Sequence, residues 1–313
     1  MFGSALRTIF LFISVFTLTV SCLFLYIFTL YSPTSSKIVV NAQEVDIAIL
    51  TPTPIITNWH LIKDKVHKEL SDTTGTYSVV IKNLSTNDTF FLNEYHVYKT
   101  ASLYKLWVMA AAYKQIEEGT LSKKMQIGDS IENLNNRFNI ATEAAEKKEG
   151  SVSLSIEEAM ERMITYSDNY SALLLSTKVR LKYVSEYIEN AGFYDSEVGK
   201  DLPTTTAYDI ALFYEKLYKN ELASMSSTTE MLELLKNQKI KRKLPKYLPS
   251  DTLIAHKTGE LDSFSHDSGI VYTPNGNYII VVMSDSTNPK GAEDRIANIS
   301  KSVYDYFIES SDN

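Results

Sequence analysis

The chain has 313 residues, of which 44% are hydrophobic and 22% charged, and its formal net charge is −7. This is a globular composition, and the length allows one substantial domain together with a shorter N-terminal segment. A domain that binds DNA or RNA would be basic, so no nucleic-acid partner is expected for this acidic chain.

An uncharged stretch near the N-terminus predicts a membrane anchor at residues 9–31. It runs from Ile9 to Leu30 without a charge, which as a helix is about 33 Å and long enough to cross a bilayer. Arg7 is the only charged side chain before it. The positive-inside tendency then places residues 1–8 in the cytoplasm and the rest of the chain on the extracellular side of the cell membrane.

Two alternatives for this segment stay open. The small residues of Val40-Asn41-Ala42 suit a signal-peptide cleavage site, so cleavage near Ala42 would give a secreted protein, although the apolar run is longer than a usual signal core. Cys22 is the only cysteine and a candidate for lipidation, but apolar residues follow it where a lipid-anchored chain turns polar. Because this cysteine lies within the apolar stretch, we expect the exported domain to fold without a disulfide.

Residues 32–57 predict a linker, and residues 58–313 predict one domain. The linker contains Pro, Ser and Thr without sustained periodicity. Helical patterns open the domain at Trp59 and close it at 295–308.

Strands are predicted near both ends of this domain, and helices dominate its centre, about 100–240. The predicted strands are 76–82 and 89–93, then 252–258, 269–273 and 278–284, the last two joined through Asn275-Gly276. We therefore predict an α+β fold in which an antiparallel sheet flanked by helices stands beside a helical lobe. A site between the two lobes is the natural consequence.

Ser102 and Lys105 form an S-x-x-K motif that predicts a serine nucleophile and its base. Ser102 lies where a helical pattern begins, and the free N–H groups at a helix N-terminus favour the oxyanion formed when a hydroxyl attacks a carbonyl. Lys105 can accept the serine proton if it is neutral, which burial and a second cation, Lys257, would promote. The alternative is a surface lysine on a helix.

Ser167-Asp168-Asn169 falls between two predicted helices. In a serine acyl-transfer site without a catalytic His, a second hydroxyl such as Ser167 can carry the proton to the leaving nitrogen. Asn169 can bind a substrate amide, and Asp168 is expected to be structural.

Lys257-Thr258-Gly259 ends a predicted strand. Lys257 and Thr258 can bind a carboxylate, and Gly259 lets a substrate backbone approach closely. The backbone N–H of Glu260 can be the second oxyanion donor. This acyl transfer needs no metal or cofactor, and none is predicted.

The motifs at Ser102, Ser167 and Lys257, in this order, resemble those of the penicillin-recognising serine hydrolases, and most of all class A β-lactamases. The resemblance covers about residues 58–310 and includes the Thr-rich helix start at 204–206. It implies a two-lobed, β-lactamase/D,D-peptidase-like fold and attack by Ser102 on a β-lactam or on a peptidoglycan stem peptide ending in D-alanyl-D-alanine. A covalent acyl-enzyme would follow.

The chain departs from this family in the loop that should carry the deacylation base. Class A β-lactamases place there a Glu that activates the hydrolytic water, but only 189–203 is available here and it lacks the E-x-x-L-N pattern. Glu197 is the best substitute base, with Asp195 and Asp201 behind it. The alternative is that these are solvated loop carboxylates.

A second departure concerns the substrate carboxylate. The strand after Lys257 lacks the Arg that relatives often use, so His266 is a candidate when protonated, the alternative being a structural histidine bonded to Asp267. The basic run 236–246 could contact anionic wall polymer or lipid headgroups, or simply be a solvated face.

The sequence thus predicts a membrane-anchored serine hydrolase that forms an acyl-enzyme through Ser102 and hydrolyses the amide of β-lactams. A D,D-peptidase that acts on wall peptides is the alternative, because the loop Glu is missing. A non-catalytic protein that binds the wall or senses the drug is the second alternative.

Overall fold

The computed structural model describes residues 58–199 and 202–309. The strands are β1 (Thr76–Asn83), β2 (Thr89–Leu92), β3 (Tyr98–Lys99), β4 (Gln126–Ser130), β5 (Ser151–Ser155), β6 (Thr204–Thr205), β7 (Ile254–Leu261), β8 (Phe264–Val271) and β9 (Tyr278–Asp285). Five of them form an antiparallel sheet in the order β2-β1-β9-β8-β7. Two short antiparallel pairs, β3 with β6 and β4 with β5, lie outside this sheet.

The helices occur before, between and after these strands. They are α1 (Trp59–Leu70), α2 (Tyr104–Glu117), α3 (Ile131–Arg137), α4 (Ile156–Thr165), α5 (Asn169–Val179), α6 (Leu181–Asn190), α7 (Ala207–Tyr218), α8 (Met225–Lys236) and α9 (Pro289–Glu309). A 3₁₀ helix, Ala101–Leu103, leads directly into α2.

Both faces of the sheet are buried. In β9, Ile280 and Val282 belong to the core shared with α1 and α9, whereas Val281 and Met283 belong to the core shared with the helical lobe. Successive side chains of a strand point to opposite faces, so this alternation requires apolar cover on each side. The predicted α+β arrangement of an antiparallel sheet with helices and a helical lobe is confirmed.

Helix α2 is the centre of the helical lobe. Ten of its fourteen residues are buried, including three consecutive alanines, 110–112. A helix that is apolar on all sides is surrounded by protein, and alanine lets neighbouring helices approach closely. Lys105 lies in the buried part of this helix and is therefore withdrawn from water.

Strand β8 is longer than predicted. It begins at Phe264, five residues before the predicted start at 269, because the polar residues Ser265 to Ser268 are part of the strand and fully buried. The side chains of His266, Asp267 and Ser268 find hydrogen-bond partners inside the protein, which alternation of polar and apolar residues could not indicate. The final helix also starts earlier, at Pro289 rather than 295, with proline in the first turn where no N–H is required.

Within the described residues, no helix is both long and apolar enough to cross a membrane. The predicted anchor 9–31, the cleavage site near Ala42 and Cys22 lie outside the described residues.

Candidate active site

The candidate nucleophile is held in a strained turn. Ser102 is the middle residue of the 3₁₀ helix and is half-buried on the wall of a cavity. Ala101, directly before it, has a φ of 45°. Left-handed backbone is costly for a residue with a Cβ and persists where the surrounding structure enforces it, often at functional sites.

Gly259 allows the strand β7 to approach this turn. A Cβ at Gly259 would lie 2.9 Å from the carbonyl oxygen of Thr100 and 3.3 Å from Cβ of Ala101. Only glycine therefore fits the distance between β7 and the 3₁₀ helix. In the structure, Gly259 makes a close contact with the protein's own backbone beside Ser102.

Lys105 is fully buried one turn after Ser102. Its Nζ donates to the Ser167 carbonyl oxygen at 2.6 Å, to Oδ1 of Asn169 at 2.9 Å and to Oγ of Ser167 at 3.3 Å. The surface-lysine alternative is therefore wrong. Lys105 of the S-x-x-K motif therefore contacts Ser167 and Asn169 of the Ser-Asp-Asn motif.

Lys257 reaches the same serine from the sheet. It is fully buried, and its Nζ donates to Oγ of Ser167 at 2.9 Å and to the carbonyl oxygen of Thr258 at 2.9 Å. The Ser167 hydroxyl thus lies between two lysines that come from different lobes. All three motifs therefore form one hydrogen-bonded group.

Burial makes these two amines unusual. It lowers the pKa of Lys105 to about 7, against smaller opposing effects of the Asp168 and Glu146 carboxylates. Burial also lowers the pKa of Lys257, and the nearby charge of Lys105 lowers it further. Because burial disfavours both charged amines and two ammonium groups on one hydroxyl repel each other, the neutral form of Lys105 is accessible near pH 7. One amine is then available as a base.

The turn that carries Ser167 is also strained and locally fixed. Ser167 has a φ of 59°, and Asp168 caps the following helix α5 by accepting from the N–H of Ser171 at 2.7 Å. The helix before it, α4, begins with the predicted capping box at Ser155. Asp168 is thus structural, as expected, and holds Ser167 and Asn169 in place.

The cavity in front of Ser102 has a volume of about 300 Å³. Of the predicted site residues, Ser102, Asn169 and Glu260 line it. Ser167, Lys105, Lys257 and Thr258 do not form its wall. The remaining lining residues are Lys99, Thr100, Ala101, Tyr104, Ile140, Ala144, Glu146, Tyr170, Leu173, Leu202, Pro203 and Leu261.

The structure does not bring His266 to this cavity. His266 is fully buried, its Nε2 donates to the Lys99 carbonyl oxygen at 2.9 Å, and its Nδ1 accepts from the N–H of Ser284 at 3.1 Å. Burial lowers its pKa to about 4, so the ring is neutral at pH 7. A neutral histidine with both nitrogens bonded is structural and does not bind a carboxylate.

The alternative partner predicted for this histidine is also different. Asp267 bonds Nδ1 of His256 at 2.9 Å, not His266. Adjacent residues of a strand point to opposite faces, which keeps the side chains of 266 and 267 apart.

The shortened loop 189–203 places Glu197 outside the cavity. Glu197 is exposed, does not line the cavity, and pairs its backbone with Thr204. Asp195 is also exposed, with its N–H bonded to Asp209, and Asp201 lies outside the described residues. From this loop, the described residues at the cavity wall are Leu202 and Pro203.

Two residues at the site were not predicted from the sequence. Lys243, in the basic run, is fully buried, and its Nζ donates to the carbonyl oxygens of Gly259 at 3.1 Å and His266 at 3.0 Å. Glu146 lines the cavity and accepts from Nδ2 of Asn169 at 3.1 Å. Neither lies in a motif or a periodic pattern, so only the folded chain reveals them.

Comparison with known proteins agrees with this geometry. A family model described as "Beta-lactamase enzyme family" matches residues 61–307. The β-lactamase VEB-1 of Pseudomonas aeruginosa is 23% identical over 269 residues, which are 78% of this chain and 89% of that protein. The chain therefore belongs to the β-lactamase enzyme family and is a β-lactamase-like serine hydrolase.

Solved structures share the fold. A β-lactamase from Sphaerobacter thermophilus superposes with a TM-score of 0.71 at 23% identity, covering 81% of this chain and 99% of that one. The L158E mutant of PBP-A, solved as an acyl-enzyme complex with penicillin G, gives a TM-score of 0.70 at 20% identity, covering 82% and 99%.

Proposed function

We propose that this enzyme opens the amide of β-lactams and forms an acyl-enzyme on Ser102. The observation that carries the proposal is the position of the Ser167 hydroxyl, which is 2.9 Å from Nζ of Lys257 and 3.3 Å from Nζ of Lys105. Such a hydroxyl can receive a proton from one side and deliver it to a leaving nitrogen on the other.

Acylation would proceed in two steps, attack by Ser102 and release of the nitrogen. Neutral Lys105 takes the proton of Ser102 as Oγ bonds to the amide carbon, and the negative charge moves to the carbonyl oxygen. The C–N bond then breaks, and Ser167 donates its proton to the nitrogen while it regains one from a lysine. The products of this step are an ester on Ser102 and an amine that, in a β-lactam, stays attached through the opened ring.

The surrounding groups would bind the substrate as follows. The N–H groups of Ser102 and Glu260 are the candidate oxyanion donors, since both residues line the cavity. Asn169 would hold the amide of the acyl side chain, and Thr258 with Lys257 would receive the carboxylate. The acyl-enzyme of penicillin G described for PBP-A supports the same covalent chemistry on this fold.

The test is an intact-mass time course of the full-length chain with penicillin G. We expect a gain of the whole penicillin mass, because ring opening loses no atoms, and no gain in Ser102→Ala. An adduct on Ser102→Ala, or none on the wild-type enzyme, would overturn the assignment of the nucleophile.

A D,D-peptidase is the second candidate, and one observation favours it. From the shortened loop, the described residues that reach the cavity are Leu202 and Pro203, neither of which can activate water. A long-lived adduct together with release of D-alanine from a D-alanyl-D-alanine peptide would favour the peptidase. A short-lived adduct with accumulation of opened penicillin would favour the β-lactamase, and binding without reaction would favour the non-catalytic protein.

We also propose that residues 9–31 anchor the enzyme in the cell membrane with the cavity on the extracellular side. The support is the uncharged stretch from Ile9 to Leu30 with Arg7 before it. Fractionation of expressing cells should recover the full-length mass in the membrane. Recovery in the medium of a chain that begins near residue 43 would instead show cleavage near Ala42.

A further inference from the structure

The segment between α3 and β5 forms part of the cavity wall. Ile140, Ala144 and Glu146 of this segment line the cavity. Glu146 is exposed to solvent, and its Oε2 accepts from Nδ2 of Asn169 at 3.1 Å. Because Oδ1 of Asn169 accepts from Nζ of Lys105, the carboxylate is two hydrogen bonds from the catalytic group.

Glu146 differs in its pairing from the other charged residues of the wall. Glu260 forms ion pairs with Lys243, at 2.9 Å, and with Arg242. The ammonium of Lys99 lies 5.6 Å from the ring centroid of Phe264. In the part of the chain that the structure describes, the Glu146 carboxylate takes part in no ion pair.

The basic residue next to Glu146 does not neutralise it by direct contact. Nζ of Lys147 lies 5.4 Å from the ring centroid of Tyr170, and the side chain of Lys147 is exposed. The Glu146 carboxylate is thus a negative charge at the cavity rim that is free to meet a cation on the substrate.

We propose that Glu146 is a specificity-determining residue that favours substrates whose acyl side chain carries an ammonium beside its amide, which is not the amide that is cleaved. The inference rests on the proposed function, in which Asn169 holds the amide of the acyl side chain. The Asn169 side chain also donates to the Glu146 carboxylate. A substrate group next to an amide that is bound to Asn169 must therefore lie near Glu146. The favoured class is therefore an α-amino acyl β-lactam or a stem peptide with a free amine in that position, and an acyl group that carries a carboxylate is disfavoured.

The experiment compares three penicillins that differ in charge at the same carbon. They are ampicillin with an amine, benzylpenicillin without a charge, and carbenicillin with a carboxylate. Second-order acylation rates are measured on the full-length enzyme by intact mass, at a pH where the ampicillin amine is protonated. Glu146→Gln removes the charge but keeps an oxygen that can accept from Asn169.

We expect the ratio of ampicillin to carbenicillin acylation to fall in Glu146→Gln by roughly two- to twenty-fold, because single solvent-exposed charge interactions are weak and both an attraction and a repulsion are lost. The ratio in the wild-type enzyme should also fall in high salt. A change in the pKa of Lys105 would alter all three rates together and leave the ratio unchanged.

Glu143→Gln is the matched control, since Glu143 is exposed in the same segment and does not line the cavity. The ratio of ampicillin to carbenicillin acylation in Glu143→Gln should equal that of the wild-type enzyme. An unchanged ratio in Glu146→Gln, or an equal fall in both variants, overturns this inference while the acylation itself upholds the proposed function. Failure of all three penicillins to acylate the wild-type enzyme overturns both.

Discussion

At the scale of single residues, the chemistry depends on two lysines that the fold withdraws from water. A buried ammonium group loses hydration, and a second one nearby adds repulsion, so both effects favour the neutral amine. The polar contacts of Lys105 with Ser167 and Asn169 keep its nitrogen oriented whether or not it is charged. A common surface residue thereby acquires the properties of a base near pH 7.

The acylation rate should therefore depend on the protonation of Lys105. Its pKa is lowered to about 7, so the neutral form that can accept the Ser102 proton is scarce below this pH and dominant above it. We expect the rate of adduct formation with penicillin G to rise from pH 5, to reach half of its maximum at about pH 7 and to level off above about pH 8. A rate that stays flat across this range would show that Lys105 is not the base.

Lys105→Arg tests the same point by substitution. Arginine retains a positive charge but does not deprotonate in proteins, so acylation should fall by about 100-fold or more, the range for loss of a general base. Lys114→Arg in the last turn of the same helix should acylate at the wild-type rate. A fully active Lys105→Arg enzyme would contradict the assignment.

At the scale of elements, the site depends on a close contact between the 3₁₀ helix and β7. The contact joins a turn with strained backbone at Ala101 to a strand that has no side chain at Gly259. It brings the turn that carries Ser102 beside the strand that carries Lys257, although the two come from different parts of the domain. The strained backbone at Ala101 is supported by this packing.

Gly259→Ala should separate these two elements. The new Cβ would lie 2.9 Å from a backbone oxygen, so one element must shift, at a cost of roughly 1–3 kcal/mol in stability. We expect a lower midpoint of thermal unfolding and slower acylation by penicillin G. Gly199→Ala, where no atom lies within 4 Å, should change neither, and equal effects of the two substitutions would contradict the packing argument.

Among the described residues of the loop before α7, no carboxylate reaches the cavity. Leu202 lines the cavity with 55% of its surface exposed, so a carboxylate at this position would have access to water beside the acyl-enzyme. Leu202→Glu should release the penicillin adduct at least about tenfold faster than Leu202→Gln, since a positioned base contributes about 100-fold or more when its geometry is good. Equal adduct lifetimes in the two variants would show that this position cannot activate water.

At the scale of the whole molecule, a sheet that is covered on both faces forces polar residues of β8 into the interior. His266 shows the consequence, because both ring nitrogens are bonded inside the protein and the ring is kept neutral. Protonation would break the bond that Nδ1 accepts and would place a charge in a buried position. The free energy of unfolding therefore depends on pH through His266.

His266→Gln should make stability less sensitive to acid. The pKa of His266 is lowered from 6.5 to about 4 in the folded state, so unfolding is favoured as pH falls from 6.5 towards 4, by up to about 3 kcal/mol. Gln can still donate to Lys99 and accept from Ser284. Urea unfolding from pH 4 to 7 should give a flatter curve for His266→Gln than for the wild-type protein, and parallel curves would contradict this account.

Asp209 changes the stability with pH in the opposite direction to His266. It is left unmutated in both proteins. Its carboxyl, which accepts from Asp195 and Ser196 in the loop, has a pKa raised by burial to about 6. An acid with a raised folded-state pKa stabilises the fold more as pH falls from about 6 to 4. Because Asp209 is present in both proteins, its contribution to the free energy of unfolding cancels when His266→Gln is compared with the wild-type protein.

The sequence by itself determined the chemistry and the outline of the fold. The motifs at Ser102, Ser167 and Lys257 are local patterns with a known order, and the hairpin through Asn275-Gly276 and the capping box at Ser155 are local signals. Such features are readable because neighbouring residues decide them. The boundaries of strands and helices could be predicted where the alternation or the helical spacing of apolar residues was unbroken.

Only the tertiary structure decided which side chains reach the cavity. It brought Glu146 and Leu202 to the cavity and left Glu197 and His266 away from it. These positions depend on contacts between residues far apart in the chain and on burial, which sets the charge state of a lysine or a histidine. Neither contact nor burial is encoded in a short motif, so the sequence identified the reacting groups and the fold determined their surroundings.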